Sequence, residues 1–266
     1  MKRGLVLAAF ATALAACAPL PPKSPAAGEV RPLQPEGASA LTHKPGWAGR
    51  THAVAAAHPQ AADAGLRMLR AGGSAVDAAI AAQMVLSLVE PQSSGIGGGS
   101  FLMHWDGRQV EAFDGRETAP ALADERLFLD AQGKPMAFHA AAVGGRAVGV
   151  PGTVRMLELA HRQHGRLPWA QLFQPAIALA EEGFRVGPRL HALLGNDAHL
   201  KKDPTAAAYF YRPDGTPQPV GHLLRNPELA AVLRRIAAEG ARALHEGDIA
   251  QAIVDKVGTH PVNPGR

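Results

Sequence analysis

Apolar residues are spaced for two consecutive helices ahead of a glycine-rich stretch. Pro59 opens the first pattern and Gly72-Gly73 closes it, so the segment between them is predicted to be helical. Ser74 and Asp77 form a capping-box pattern at the start of the second helix. Residues 75–89 are apolar almost all round, and fifteen residues are too few to span a bilayer. This second helix is therefore predicted to be buried in a protein core.

A strand-like pattern follows the glycine-rich stretch. The segments SFLMHW (100–105) and RQVEAF (108–113) flank Asp106-Gly107, a residue pair typical of two-residue hairpin turns. The second strand then continues into a loop, DGRETAP, at residues 114–120. The sequence therefore predicts an antiparallel hairpin with this loop at its end.

Helical patterns dominate the rest of the chain. Pro175 interrupts one of them, because proline lacks a backbone N–H and disrupts a helix interior. Residues 209–220, with Pro213-Asp214-Gly215 inside them, predict a second and weaker hairpin. Helices combined with antiparallel hairpins indicate an α+β fold. The predicted helices cover residues 152–164, 169–182, 226–239 and 241–257.

The first seventeen residues, MKRGLVLAAFATALAAC, have a basic start and a short apolar run. This pattern is typical of a secretory leader, and its ending, Leu-Ala-Ala-Cys, resembles a bacterial lipobox. We therefore expect Cys17 to be lipidated and to become the new amino terminus, the alternative being an ordinary signal peptide with a leftover thiol. Ala18 fits sorting to the outer membrane. The mature protein is thus expected in the periplasm, held on a membrane by its lipid.

Residues 18–47 contain seven prolines and almost no periodic apolar pattern. Such a segment has little apolar area to offset the entropy of ordering, so it is predicted to be a flexible tether. The folded domain is expected at residues 48–266. Because Cys17 is the only cysteine, neither a disulfide nor a catalytic cysteine is expected there.

The charge balance argues against nucleic acid as a partner. The chain has 27 Lys and Arg against 23 Asp and Glu, and loss of Lys2 and Arg3 with the leader leaves 25 against 23, or +2. A nucleic-acid-binding domain concentrates basic residues into a stripe that neutralises phosphates. No nucleic-acid partner is therefore expected.

The glycine-rich stretch, residues 95–99, is similar in composition to a phosphate-binding loop. Such loops run from a strand into a helix, whose amino terminus binds the phosphate, whereas here a helix precedes and a strand follows. The lysine of a P-loop is also missing. Two interpretations remain open: a tight connection between helix and strand, or a close approach of the backbone to a ligand.

Other candidate chemistry is sparse. His161 and His164 lie one turn apart at a polar helix end, with no third ligand nearby in sequence, so they are predicted to lie on a solvated face and no metal site is expected. Ser94 and Ser100 do not form the G-x-S-x-G turn of a hydrolase nucleophile. No cofactor is expected.

Arg116 follows the second strand of the hairpin between Asp114 and Glu117. A guanidinium at a strand exit is suited to bidentate binding of a carboxylate. The neighbouring acids allow a second interpretation, in which Arg116 takes part in a surface ion pair. The residues alone leave both open.

From His52 to Val257 the chain resembles the front of the large subunit of gamma-glutamyltransferases (glutathione hydrolases). The similarity rests on the runs HPQAADAGLRMLRAGGSAVDAAI, EPQSSGIGGGSF, DGRETAP and VGVPGTVRMLELAHRQHGRLPWAQLFQPAIALAEEGF, in family order. It implies an N-terminal nucleophile hydrolase fold, an αββα sandwich of two stacked sheets between helical layers, incomplete in this chain. The implied activity is transfer of the gamma-glutamyl group of glutathione and related amides to water or an amino acid.

The resemblance also implies residue roles. In the family, the arginine of an R-E-x-A-P loop binds the alpha-carboxylate of the glutamyl group, and the matching residue here is Arg116. The glycine-rich stretch matches a helix-to-strand passage, which implies a structural role for it.

One family feature is missing. The family's nucleophile is a threonine that begins a T-T-H motif in the small subunit, where its own alpha-amine serves as the base. The Thr-His pairs here are Thr42-His43, Thr51-His52 and Thr259-His260, and none is expected to open a strand of that subunit. We therefore expect no catalytic residue in this chain, little activity without a small subunit, and a sheet with open edges and an uncovered apolar face. The alternatives are a non-catalytic gamma-glutamyl-binding lipoprotein or relic fragment, and a related beta-lactam acylase.

Overall fold

The computed structural model describes residues 49–265. The predicted leader with Cys17 and the tether at 18–47 lie outside them. The helices are α1 (Pro59–Arg70), α2 (Ala75–Val89), α3 (Phe138–Ala142), α4 (Thr153–His164), α5 (Trp169–Leu172), α6 (Gln174–Glu182), α7 (Pro188–Asn196), α8 (Pro204–Phe210), α9 (Pro227–Glu239) and α10 (Gly247–Gly258). The strands are β1 (Ser100–Trp105), β2 (Val110–Gly115), β3 (Phe184–Arg185) and β4 (Leu223–Leu224).

Helix α2 begins with the predicted capping box. The Ser74 side chain accepts from the Asp77 N–H at 3.1 Å, and Asp77 Oδ2 accepts from the Ser74 N–H at 2.8 Å. Asp77 is fully buried, and the same oxygen accepts from the N–H groups of Arg166 and Leu167 at 3.0 and 3.2 Å. One carboxylate therefore caps α2 and ties it to the loop that follows α4.

The predicted hairpin is confirmed as β1 and β2. Asp106 Oδ1 accepts from the N–H groups of Arg108 and Gln109, and Gly107 has a φ of 99°, which favours glycine in this turn. His104 pairs with Glu111 and Leu102 with Phe113 across the two strands. Because side chains alternate between faces, these four point to the same, inner face.

The helices predicted at 152–164, 169–182 and 226–239 are confirmed, and Pro175 lies in the first turn of α6, where the chain breaks after α5. The helix predicted at 241–257 is confirmed only from Gly247, because Ala241–Leu244 forms a separate 3-10 turn.

The weak hairpin predicted at 209–220 is confirmed only around its turn. Its first two residues end α8, Tyr211 and Pro217 form an antiparallel bridge, and the N–H groups of Arg212 and Gln218 donate to Thr216 O and Phe210 O. Three prolines in this segment lack the N–H groups that a strand ladder needs. Leu223–Leu224 pairs instead with Phe184–Arg185.

The core lies between the helices and the inner face of the hairpin. The buried helix α2 contacts α1, α4, α5 and α6, while α4 contacts both strands of the hairpin. Helices packed on one face of antiparallel strands confirm the α+β class. No helix of residues 49–265 combines the length and apolarity needed to cross a bilayer.

The outer face of the hairpin is uncovered. Phe101, Met103, Trp105 and Val110 are each at least 56% exposed. Among the described residues, β1 and β2 pair only with each other, so both outer edges are open. The expectation of open edges and an uncovered apolar face is confirmed for this part of the chain.

Candidate functional site

The Arg116 loop leaves β2 and is held by the segment before α4. The Arg116 N–H donates to Asp114 Oδ1 at 2.9 Å, which tightens the turn at the strand end. Thr118 and Val150 exchange backbone hydrogen bonds of 2.9 and 3.4 Å. The loop is thus tied to two elements, and the position of Arg116 is set by backbone contacts.

Glycines let other segments lie directly against this loop. A Cβ on Gly99 would lie 2.5 Å from Glu117 N and 2.8 Å from Arg116 Cα, and one on Gly149 would lie 2.7 Å from Glu117 Cβ. A Cβ on Gly152 would contact Arg116 O at 2.7 Å. The close approach that the glycine-rich stretch allows is therefore to the Arg116 loop of the same chain.

Helix α4 holds the glycine-rich stretch from its other side. Gly98 O accepts from the N–H groups of Gly152 and Thr153 at 3.0 and 3.2 Å, and from Thr153 Oγ1 at 3.1 Å. The buried Thr153 hydroxyl also lies 3.1 Å from Ser100 Oγ. The start of α4, the glycine-rich stretch and the Arg116 loop therefore form one packed unit.

Gly99→Ala is expected to destabilise the chain by about 2 kcal/mol, because the new methyl group overlaps the backbone of the Arg116 loop. The matched control is Gly97→Ala, since a Cβ at that position meets nothing within 4 Å. Thermal unfolding of the two variants checks this prediction. Equal Tm values for the two variants would mean that Gly99 does not pack closely against the Arg116 loop.

The Arg116 side chain forms the ion pair that was one of the two interpretations left open by the sequence. Its Nη1 lies 2.9 Å from Glu117 Oε2, so the ion pair exists, yet the guanidinium donates no hydrogen bond among the described residues. It is 57% exposed, whereas the Glu117 side chain is 28% exposed. The carboxylate thus holds one edge of the guanidinium and leaves donors free for a bound anion.

The guanidinium of Arg116 opens on a cleft of about 550 Å³. Arg155, Arg162 and Arg242 also line it. Arg162 is paired with Glu158 at 2.7 Å, whereas Arg155 and Arg242 have no ion-pair partner among the described residues. Asp114, Glu158 and Glu246 line the cleft as well, so its arginines exceed its acids by one, and the guanidiniums without an ion-pair partner are the groups suited to a carboxylate.

His245 lies in the same cleft but does not add to its charge. Burial of the ring, followed by the nearby Arg155 guanidinium, lowers the pKa of His245 below its ordinary value. The imidazole is therefore neutral near pH 7. The positive charge that an anion meets in the cleft comes from the arginines alone.

The histidines of α4 are not on a solvated face, so that prediction is wrong. His161 Nε2 lies 2.9 Å from Leu167 O and 3.6 Å from Asp77 Oδ1. His164 Nε2 lies 2.5 Å from Glu111 Oε2. Both rings turn inward because the carboxyl end of α4 packs against α2 and the hairpin, a contact that sequence spacing does not reveal.

Neither described Thr-His pair provides a nucleophile in the cleft. Thr259 Oγ1 donates to Asp255 O at the end of α10, which is an ordinary helix-end contact. Thr51 is exposed near the start of the described residues, and Thr42-His43 lies outside them. Among residues 49–265, the cleft has guanidinium groups suited to an anion but no threonine of the expected kind.

Comparison with known proteins shows which family the chain matches. Residues 61–261 match the gamma-glutamyltranspeptidase family. The glutathione hydrolase proenzyme of Bacillus subtilis is 40% identical over 211 residues, 79% of this chain and 36% of the relative. The chain thus spans about a third of the length of the curated relatives it matches.

Solved structures give the same result for the fold. The gamma-glutamyltranspeptidase of Helicobacter pylori is similar with a TM-score of 0.76 and 32% identity, over 81% of this chain and 62% of that one. A cephalosporin acylase from Bacillus halodurans is similar with a TM-score of 0.62 and 28% identity, over 84% and 44% of the two chains. The described helices and hairpin therefore correspond to part of a larger N-terminal nucleophile hydrolase fold.

Proposed function

Since the chain belongs to the gamma-glutamyltranspeptidase family, we propose that it is the amino-terminal portion of an enzyme that cleaves gamma-glutamyl amides such as glutathione. The glutamyl group would pass to water or to an amino acid. The observation that supports this most strongly is the arginine-lined cleft, in which Arg116 of the R-E-T-A-P loop keeps hydrogen-bond donors free. In this proposal Arg116 binds the alpha-carboxylate of the glutamyl group.

The length of the glutamyl group then places the reacting atoms. Four carbon–carbon bonds separate the alpha-carboxylate carbon from the gamma-carbonyl carbon, which is about 5 Å in an extended chain. A nucleophile must therefore lie about that far beyond the carboxylate that Arg116 binds. We propose that it is a threonine supplied by sequence outside these 266 residues, because no T-T-H motif occurs within them.

The proposed reaction has two steps. The threonine hydroxyl attacks the gamma-carbonyl carbon, its proton moves to the threonine's own alpha-amine, and the amide nitrogen leaves as an amine with a proton from that group. Water or an amino acid then attacks the glutamyl ester and restores the threonine. Arg116 takes no part in bond breaking and acts by positioning the glutamyl group.

The companion that brings this threonine is proposed to cover the outer face of the hairpin. Exposed apolar side chains and unpaired strand edges are typical of surfaces that other strands cover in the complete protein. Release of a chromophore from a gamma-glutamyl anilide, by the chain together with a companion segment, tests this function. Turnover by the combination supports the proposal, and no turnover by a folded, assembled combination would contradict it.

The similarity to a cephalosporin acylase favours a second candidate function, removal of an acyl group from a beta-lactam compound. Arg116 favours the glutamyl substrate, because its free donors suit a carboxylate next to the reacting chain. A combination that cleaves a cephalosporin whose acyl group has no carboxylate faster than a gamma-glutamyl anilide would support the second candidate. Binding of gamma-glutamyl peptides without turnover would support a non-catalytic binder.

We further propose that the protein is exported and anchored in the bacterial periplasm through a lipid on Cys17. The proposal rests on the leader sequence and its Leu-Ala-Ala-Cys ending. Metabolic labelling with palmitate is expected to mark the full-length protein and not the Cys17→Ala variant. Equal labelling of both, or of neither, would contradict the anchor.

A further inference from the structure

Two ionisable side chains lie on the inner face of the hairpin, where alternation otherwise places apolar groups. His104 of β1 and Glu111 of β2 are direct cross-strand partners, one pair further from the loop than Met103 and Ala112. Leu102 and Phe113, on the same face, pack in the core or against it. A histidine and a glutamate at such a position require partners, because buried polar groups are costly when left unpaired.

His164, the last residue of α4, brings a third group to this pair. Its Nε2 lies 2.5 Å from Glu111 Oε2, and its ring stacks on that of His104 with centroids 3.9 Å apart. The edge of Phe113 packs against the same ring at 5.9 Å. Residues 53 positions apart in sequence are therefore held together at one point of the core boundary.

One buried nitrogen of this cluster has no hydrogen-bond partner in the described part of the chain. His104 Nδ1 is buried and has no hydrogen-bond partner among the described residues, although it faces Glu111 Oε2 at 3.9 Å. The side chains are only 16% (His104), 38% (Glu111) and 22% (His164) exposed. Hydrogen bonds within the cluster therefore leave this nitrogen unsatisfied, although a carboxylate lies close to it.

We propose that His104, Glu111 and His164 bind a divalent transition-metal ion of the zinc class. One ligand atom from each residue lies within 4.8 Å of the other two. Two imidazoles and one carboxylate suit Zn²⁺, which often keeps a water as its fourth ligand in such a set. The proposal is independent of the glutamyl chemistry assigned to the Arg116 cleft.

The distances require only side-chain adjustment. Ligand atoms of a tetrahedral zinc site lie about 3.3 Å apart, given bonds of about 2.0–2.1 Å. The Glu111 to His164 separation of 2.5 Å is shorter than this, and the His104 to Glu111 separation of 3.9 Å is longer. An ion would replace the proton between Glu111 and His164, and rotation of the two rings would equalise the separations.

The site would join the hairpin to the end of α4. β1 and β2 pair only with each other among the described residues, and β2 ends in the Arg116 loop. A metal ion that links both strands to α4 would therefore stabilise the hairpin that positions this loop. Binding energy of this kind adds to folding stability when the ion binds only the folded chain.

Titration of the purified full chain with Zn²⁺ tests the proposal, with one equivalent of Co²⁺ as a spectroscopic probe of coordination. We expect one saturable site, a rise in Tm with Zn²⁺, and at least about a hundredfold loss of affinity in Glu111→Gln and His164→Asn. Glu111→Gln keeps the side-chain size, so it separates loss of a ligand from loss of the fold. Far-UV circular dichroism of each variant checks that it is folded.

The matched control is His139→Ala. His139 stacks on His199 with centroids 5.4 Å apart, so it belongs to a second histidine pair that forms no metal-binding group in the described part of the chain. Its affinity for Zn²⁺ is expected to equal that of the parent chain. The absence of saturable binding to the parent, or equal affinity in the parent and folded Glu111→Gln, would overturn the proposal.

Discussion

The purified 266-residue chain is expected to release no chromophore from a gamma-glutamyl anilide. The cleft at Arg116 contains guanidinium groups that are proposed to bind an anion, but the described residues place no threonine with a free alpha-amine beside it. Removing a nucleophile and its base from an enzyme of this kind lowers kcat by about 10⁴-fold or more. Addition of a companion segment that begins with T-T-H is expected to produce turnover.

The gene sequence tests where the companion segment is encoded. The T-T-H motif is expected to be encoded beyond the codon for Arg266, in the same or in an adjoining reading frame, and sequencing of the DNA there checks this. Clear turnover by the chain alone, abolished by Arg116→Ala, would contradict the need for a companion and would leave the family assignment intact.

Arg116→Ala, in the chain combined with its companion, is expected to lower kcat/KM for a gamma-glutamyl anilide by about 10²–10³-fold. Loss of one partner of a charged, hydrogen-bonded contact costs about 2–5 kcal/mol, and each tenfold in rate corresponds to about 1.4 kcal/mol. The kcat/KM of Arg116→Lys is expected to lie between those of the parent and Arg116→Ala, because an ammonium keeps the charge but cannot form the bidentate contact.

Arg67→Ala is the matched control for this prediction. Arg67 is 56% exposed, close to the 57% of Arg116, and it pairs with Asp63 at 2.7 Å on α1. Its loss removes an exposed arginine and an ion pair, so kcat/KM is expected to stay within about twofold. Equal losses in the two variants would mean that Arg116 acts through general charge or stability, not through the substrate.

The elements that local chemistry determines could be predicted from the sequence. Ser74 and Asp77 mark the start of α2, and Asp106-Gly107 marks the hairpin turn, because caps and turns depend on residues a few positions apart. The short extent of the hairpin at 209–220 could not be predicted, since its turn residues indicate a hairpin while its prolines limit the strand pairing to one bridge. Its first two residues end α8, whose start Asp203 caps.

The arrangement of the site could not be predicted, because it depends on contacts between segments that are distant in sequence. The role of Arg116 in the family followed from the R-E-T-A-P motif, but its packing against Gly99 and Gly152 joins segments that are distant in sequence. The sequence predicts a solvated face for His164 because its partners, His104 and Glu111, lie in the distant hairpin. Only the hairpin register and the docking of α4 bring these three side chains together.

One measurement tests the central claim most directly, namely that Arg116 binds the alpha-carboxylate of a gamma-glutamyl substrate. The combined enzyme and its Arg116→Ala variant are each assayed with a gamma-glutamyl anilide and with a 4-aminobutyryl anilide, which lacks only the alpha-carboxylate. We predict that the parent prefers the glutamyl substrate by at least about a hundredfold and that Arg116→Ala loses most of this preference. An unchanged preference in the variant would contradict the account.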